Sequence, residues 1–171
     1  MQVDTNNLAA IEVLETIIFS GKYEYACLAA DILIENNPCH HQAINKLEQI
    51  ITSVEEEKII CLAANGLMKS KIGKLEATTH LKETINSTIH PFVSREAIDI
   101  LIRLIPKDKF GEMVTFGKNY SSTKKHTNSF NDFVMYEKSH MYEQICQHMR
   151  KLIWHCAQNM TYSEFYQAWH K

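Results

Sequence analysis

Apolar residues recur along the first hundred positions at i, i+4, i+7 and i+8, the stripe of an amphipathic helix and not the alternation of a strand. Six such segments follow one another, at about 8–19, 23–35, 42–52, 56–70, 75–86 and 94–105. Breakers separate them: Ser20-Gly21, Asn36-Asn37-Pro38, Gly73 and His90-Pro91. The stripes are also in register with one another. Cys27-Leu28-Ala29-Ala30 returns 34 residues later as Cys61-Leu62-Ala63-Ala64, and the same step carries Ala29 to Ala63 to Ala97 and Leu33 to Leu67 to Leu101. In the other half of each unit, Ala10, Leu14, Ile17 and Ile18 step by 33 onto Ala43, Leu47, Ile50 and Ile51. A further 34 brings Ala77, Leu81, Thr84 and Ile85. Each unit is therefore a pair of helices. One pair cannot bury its own apolar face, whereas stacked pairs bury it between layers, so the expected fold is all-α: a short α-solenoid of about three helical hairpins.

Beyond Pro106 the pattern changes in kind. Phe110–Tyr120 reads as one more helix, 121–129 as an exposed polar loop, and 131–159 as a single long helix. At 100° per residue, Val134, Met141, Ile145, Met149, Leu152, Ile153 and Cys156 fall on one stripe of that helix, with His140, His148 and His155 on its border. The stripe is expected to be core and to cap the last hairpin, because terminal repeats need a cover. A short last helix, Tyr162–Trp169, spaces Phe165, Tyr166 and Trp169 so that they would plug onto the long helix, with Asn159 ending the long helix.

Composition narrows the function classes. Five Gly and 3 Pro in 171 residues leave few turn positions for a sheet protein. Eighteen Lys+Arg against 20 Asp+Glu give a net charge of -2, which argues against a general nucleic-acid partner. No apolar run is long enough for a membrane span, and residues 1–7 are polar, so the expected location is the cytoplasm. Five cysteines without a CxxC pair read as reduced thiols.

Candidate chemistry is sparse. Gly111-Glu112-Met113-Val114-Thr115-Phe116-Gly117-Lys118-Asn119 resembles a phosphate loop, but it has one residue too many between the glycines and Asn where a Ser or Thr would hold Mg²⁺. A zinc site would need His170 or His126 folded back toward Cys156 and His155. Cys156 and His155 are no catalytic dyad, because adjacent helical residues diverge by about 100°, and a Cys156–His170 pair oriented by Asn159 would require the turn at Asn159–Thr161 to return His170 to the thiol. The expectation is therefore no catalytic residue, no cofactor and no metal.

Two resemblances add to this reading. Residues 8–106, most clearly Gln42-Ala43-Ile44 with Leu47, Ile50-Ile51 and Cys61-Leu62-Ala63-Ala64, resemble HEAT-type repeats, with Ile60 and Asn65 standing where that family usually carries a polar ladder. The run Leu152 to His170 resembles the C-terminal Cys/His-containing domain that follows NACHT and HEAT modules in cyanobacterial STAND-type proteins. Trp154, Cys156, Ala157, Asn159, Tyr162, Phe165, Tyr166, Ala168, Trp169 and His170 carry that match, and Ser163 stands where the family often has Pro. The resemblance implies a HEAT-like array at 1–108 and a Cys/His-containing domain at 109–171. It also implies a protein-interaction or sensor module without the NTPase motor, whose partner is a NACHT-type NTPase or a phage-derived trigger in anti-phage defence. The alternatives are a phycobilin lyase-like, chromophore-handling HEAT protein and a Cys-His metal-binding module. Trp154, Cys156, Asn159, Tyr162, Phe165, Tyr166, Trp169 and His170 are then structural or interaction residues.

Overall fold

The computed structural model describes residues 8–88, 90–125 and 134–171. Among these, the chain forms nine α-helices and no strand: α1 (Leu8–Ser20), α2 (Tyr23–Asn36), α3 (His41–Ser53), α4 (Glu57–Lys69), α5 (Lys74–Ser87), α6 (Pro91–Leu104), α7 (Phe110–Lys125), α8 (Val134–Gln158) and α9 (Tyr162–His170), with one 3-10 turn at Lys107–Lys109. The fold class is all-α, and consecutive helices pack in the manner of a short α-solenoid. The chain gathers into two compact units, Met1–Glu83 and Thr84–Lys171.

In the first unit, α1 packs on α2, α3 on α4, and α2 on both α3 and α4. The repeat columns are the core. Ile18, Ala29, Leu33, Ile51, Ala63 and Leu67 are buried in this unit, and Ile85, Ala97 and Leu101, the positions one step on, are buried within the second. Small side chains occupy the close approaches. A Cβ on Gly66 would sit 2.6 Å from Leu47 Cδ1 and 3.9 Å from the Asp31 Cα, so α4 lies nearly against the backbone of α2. Polar ties follow the same step. Lys58 pairs with Glu24 at 3.3 Å and Lys69 with Glu35 at 2.6 Å, each pair 34 residues apart, and Lys69 also reaches Asp31 at 2.7 Å. Burial works against the Lys69 charge, but hydrogen bonds to the two carboxylates outweigh it and leave its pKa raised. These charge pairs tie α2 to α4.

Helix ends account for the connections. His40 caps α3, its Nδ1 accepting from the Ala43 amide at 3.3 Å. That bond leaves Nε2 to donate toward Glu15 Oε1, 3.3 Å away. After α4, the buried Ser70 hydroxyl donates to the Leu67 carbonyl and accepts from the Gly73 amide.

In the second unit, α8 packs on α6 and α7, and α9 on α7. One expectation changes here. The exposed loop was expected to begin at 121, whereas α7 runs on to Lys125. Ser121 and Ser122 donate back to the carbonyls of Gly117 and Lys118, so their hydroxyls stay satisfied inside a helix. Residues 126–133, the rest of that stretch, lie outside the described residues, as do the side chains of 123–139, Val134 among them. The glycines of the phosphate-loop-like string both lie in α7 and serve packing. A Cβ on Gly117 would stand 2.7 Å from Ile153 Cγ1, and one on Gly111 would touch Ala168 at 3.6 Å.

Candidate functional site

The aromatic and Cys/His residues near the C-terminus are positioned by α7, α8 and α9. The apolar stripe of α8 lies inward as expected: Ile145, Met149, Leu152 and Cys156 are buried, and Ile153 fits against Gly117. Burial pushes the Cys156 thiol up to about 12, which favours its protonated form at neutral pH. His155, beside it in sequence, turns its ring edge-on to Phe110 with centroids 5.6 Å apart. His170 lies at the far end of α9, its ring 4.2 Å from that of Tyr166. Among the described residues no three His, Cys, Asp or Glu side chains gather where a metal ion could be held. All five cysteines are free thiols; Cys27, Cys61 and Cys156 are buried.

The turn between α8 and α9 is built from its own polar groups. Asn159 Nδ2 donates to the His155 carbonyl at 2.8 Å, and the Asn159 amide to the Cys156 carbonyl at 3.0 Å. Thr161 and Glu164 form a capping box. The Thr161 hydroxyl accepts from the Glu164 amide at 3.3 Å, and the Glu164 carboxylate accepts from the Thr161 amide and hydroxyl at 2.8 Å each. Those bonds lower the Glu164 pKa. The T-x-x-E spelling is the sequence signal for this box, and it is absent from the expectations above, which rested on the aromatics alone.

How α9 is held differs from the expected plug on the long helix. It lies on α7, with Phe165 half-buried and Tyr162, Tyr166 and Trp169 exposed. Ala168 is the buried residue of α9 and faces Gly111. The Thr115 hydroxyl donates to the Ala168 carbonyl at 2.9 Å, and Lys118 Nζ to the Trp169 carbonyl at 2.7 Å, which satisfies two of the orphan carbonyls at the end of α9. Trp169 is 38% exposed and stacks on Phe165 at 5.8 Å; Tyr162 and Tyr166 are exposed and tilt against each other at 6.1 Å. The reason is geometric: with Ala168 turned to α7, the stripe formed by 162, 166 and 169 points away from it.

Trp154, on the outward side of α8, is 65% exposed. It lines an open groove of about 400 Å³ with Gln147, Arg150, Lys151, His155 and Gln158. Arg150 reaches Glu143 at 3.4 Å. An indole, a histidine ring and two cations thus stand side by side on this face of α8.

Residues 138–170 match the family model described as NACHT C-terminal Cysteine and Histidine-containing. The match takes in most of α8 and all of α9, a shorter stretch than the 109–171 proposed from resemblance. Within the matched segment, Cys156 is a buried core residue and His155 a ring-packing residue. No curated protein and no solved structure matches the chain.

Proposed function

We propose that this chain is a non-catalytic interaction module that works with a NACHT-type NTPase, its HEAT-like hairpins (1–108) carrying a C-terminal Cys/His-containing domain (109–171). The observation that carries the reading is the family match at 138–170, in which Trp154, Tyr162 and Tyr166 stay exposed while packing is supplied by Ile145, Met149, Leu152, Cys156 and Ala168. Large exposed aromatics on a helical frame are the residue types that anchor protein interfaces. In this reading the exposed row and the Arg150–Lys151 groove meet a protein, either the NTPase itself or the trigger that the machine senses in anti-phage defence in the cytoplasm. The cyanobacterial STAND setting belongs to the same proposal. Nothing in the two open grooves favours a chromophore-handling reading.

The test is binding of the full chain to a NACHT-type NTPase encoded in the same genome, measured by calorimetry. Trp154→Ala with Tyr166→Ala is expected to weaken binding by at least about tenfold, as loss of an aromatic anchor does, with an unchanged melting temperature. Binding indifferent to both substitutions would overturn the reading, as would bilin transfer or stoichiometric zinc on the purified chain.

A further inference from the structure

With Ile145, Met149, Leu152 and Cys156 buried, α8 presents its opposite side outward. At 100° per residue that side carries Gln147, Arg150, Lys151, Trp154, His155 and Gln158, the six residues that line the groove of about 400 Å³. They stand at i, i+3, i+4, i+7, i+8 and i+11, the rows between which one helix receives the side chains of another laid along it. The stripe is about 16 Å long, or about three turns. An extended peptide adds to a free sheet edge, and the described residues hold no strand. Helix against helix is the packing mode they use throughout.

Charge decides what the visiting helix carries. Arg150 and Lys151 stand beside the Trp154 indole, and none of the six lining residues is acidic. From Gln144 to Ser163 the sequence holds no Asp or Glu at all. The carboxylates that bound this stretch are already engaged. Glu164 accepts from the Thr161 amide and hydroxyl, and Glu143 reaches Arg150 at 3.4 Å. That last pair joins side chains 54% and 64% exposed, so it is weak and readily exchanged for another carboxylate. By contrast, the open groove of about 410 Å³ along α1 and α2 is lined without any charge that would select an occupant.

We infer that the outward face of α8 seats an acidic amphipathic helix of a partner protein, with an apolar side chain on the Trp154 indole and Asp or Glu beside Arg150 and Lys151. The inference rests on the proposed interaction role in that this face meets a protein, and it adds the form and charge of what arrives. Single-stranded nucleic acid also combines ring stacking with cations. Two cations on a chain of net charge -2 give a phosphate backbone little hold.

The test is a selection from phage-displayed, randomised helical peptides of about 16 residues, long enough to cover the stripe, against the full chain with counter-selection on Trp154→Ala. Expected are binders with Asp and Glu in excess of Lys and Arg around an apolar residue. As synthetic peptides they shift the emission of Trp154 in a Trp169→Phe background. Arg150→Glu with Lys151→Glu, both at exposed positions, weakens them about tenfold or more and selects basic peptides instead, at an unchanged melting temperature. Binders without an acidic excess, or no enrichment, overturn the inference. So does a thymidine oligonucleotide that shifts the same emission, or a dimer of the unmodified chain that the double charge reversal dissolves. Failure of the NACHT reading looks different: acidic peptides then seat on α8 while the NTPase does not bind. An NTPase that binds through Trp154 but ignores reversal of both charges keeps that reading and overturns this one.

Discussion

The two units bury similar apolar side chains, but each is held together internally by different means. In residues 1–83 one apolar solution is repeated: a small-residue column lets helices approach and Leu and Ile fill between them, while two Glu–Lys pairs tie α2 to α4. In residues 84–171 each tie occurs once: a glycine at the α7–α8 crossing, a threonine and a lysine capping the end of α9, and a capping box in the turn. Charge divides along the same line. Residues 1–83 carry seven Lys and Arg against twelve Asp and Glu, while 84–171 carry eleven against eight. The first unit therefore repeats its apolar packing, whereas the polar ties of both units stand at single places.

That contrast is open to direct attack. The largest effects belong to what the units share. Leu47→Ala and Leu152→Ala, each at a fully buried position, should cost about 2–5 kcal/mol apiece in chemical denaturation, whereas Leu14→Ala, one repeat before Leu47 and only partly covered, should cost under about half as much. Equal losses at Leu14 and Leu47 would mean the first hairpin is as well covered as the second.

Next comes the unique crossing. Gly117→Val places branched carbon where Ile153 already stands 2.7 Å from a bare Cβ. It should destabilise by about 1–3 kcal/mol through overpacking, read as a lowered melting midpoint. Trp169→Ala should cost about 1–2 kcal/mol, below the range for a fully buried aromatic because the ring is 38% exposed and leans chiefly on Phe165. A larger loss would show that the ring, and not Ala168, seats α9.

Lys69→Met tests the ties between α2 and α4. It removes the pairs to Asp31 and Glu35 and should cost up to about 1 kcal/mol, the range for partly exposed pairs. The smallest effect is pH-dependent. Because the folded state lowers the Glu164 pKa, its contribution is present above the ordinary carboxylate pKa and is lost as pH falls through the folded value. Melting temperatures of the native chain and of Glu164→Gln should differ most near about pH 6 and converge toward about pH 3. A difference that grows on acidification would reverse the sign and remove the capping box as its source.

The helices themselves were legible because each signal is local. The step of 33 or 34, the breakers Asn36-Asn37-Pro38 and His90-Pro91, and the inward stripe through Ile145, Met149, Leu152 and Cys156 are all written in neighbouring residues, and every predicted helix start through residue 110 lies within a few positions of the observed one. Periodicity also placed the Cys156 thiol in the core, since its neighbours at i−4, i−7 and i−11 are apolar.

What only the tertiary structure decided is which surface each stripe meets. The aromatic spacing of α9 is equally consistent with rings turned inward or outward. The choice fell to Ala168, whose small side chain lets α9 close on Gly111 while Thr115 and Lys118 collect its terminal carbonyls. Likewise Leu14 and Ile17 of α1 are the same residue types as Leu47 and Ile50 of α3 one step on, yet the first two are partly open and the second two fully buried. Helical periodicity is a property of bonds within a turn and can be read along the chain. Coverage depends on what stands in the next layer, and a residue's own neighbours in sequence do not encode it.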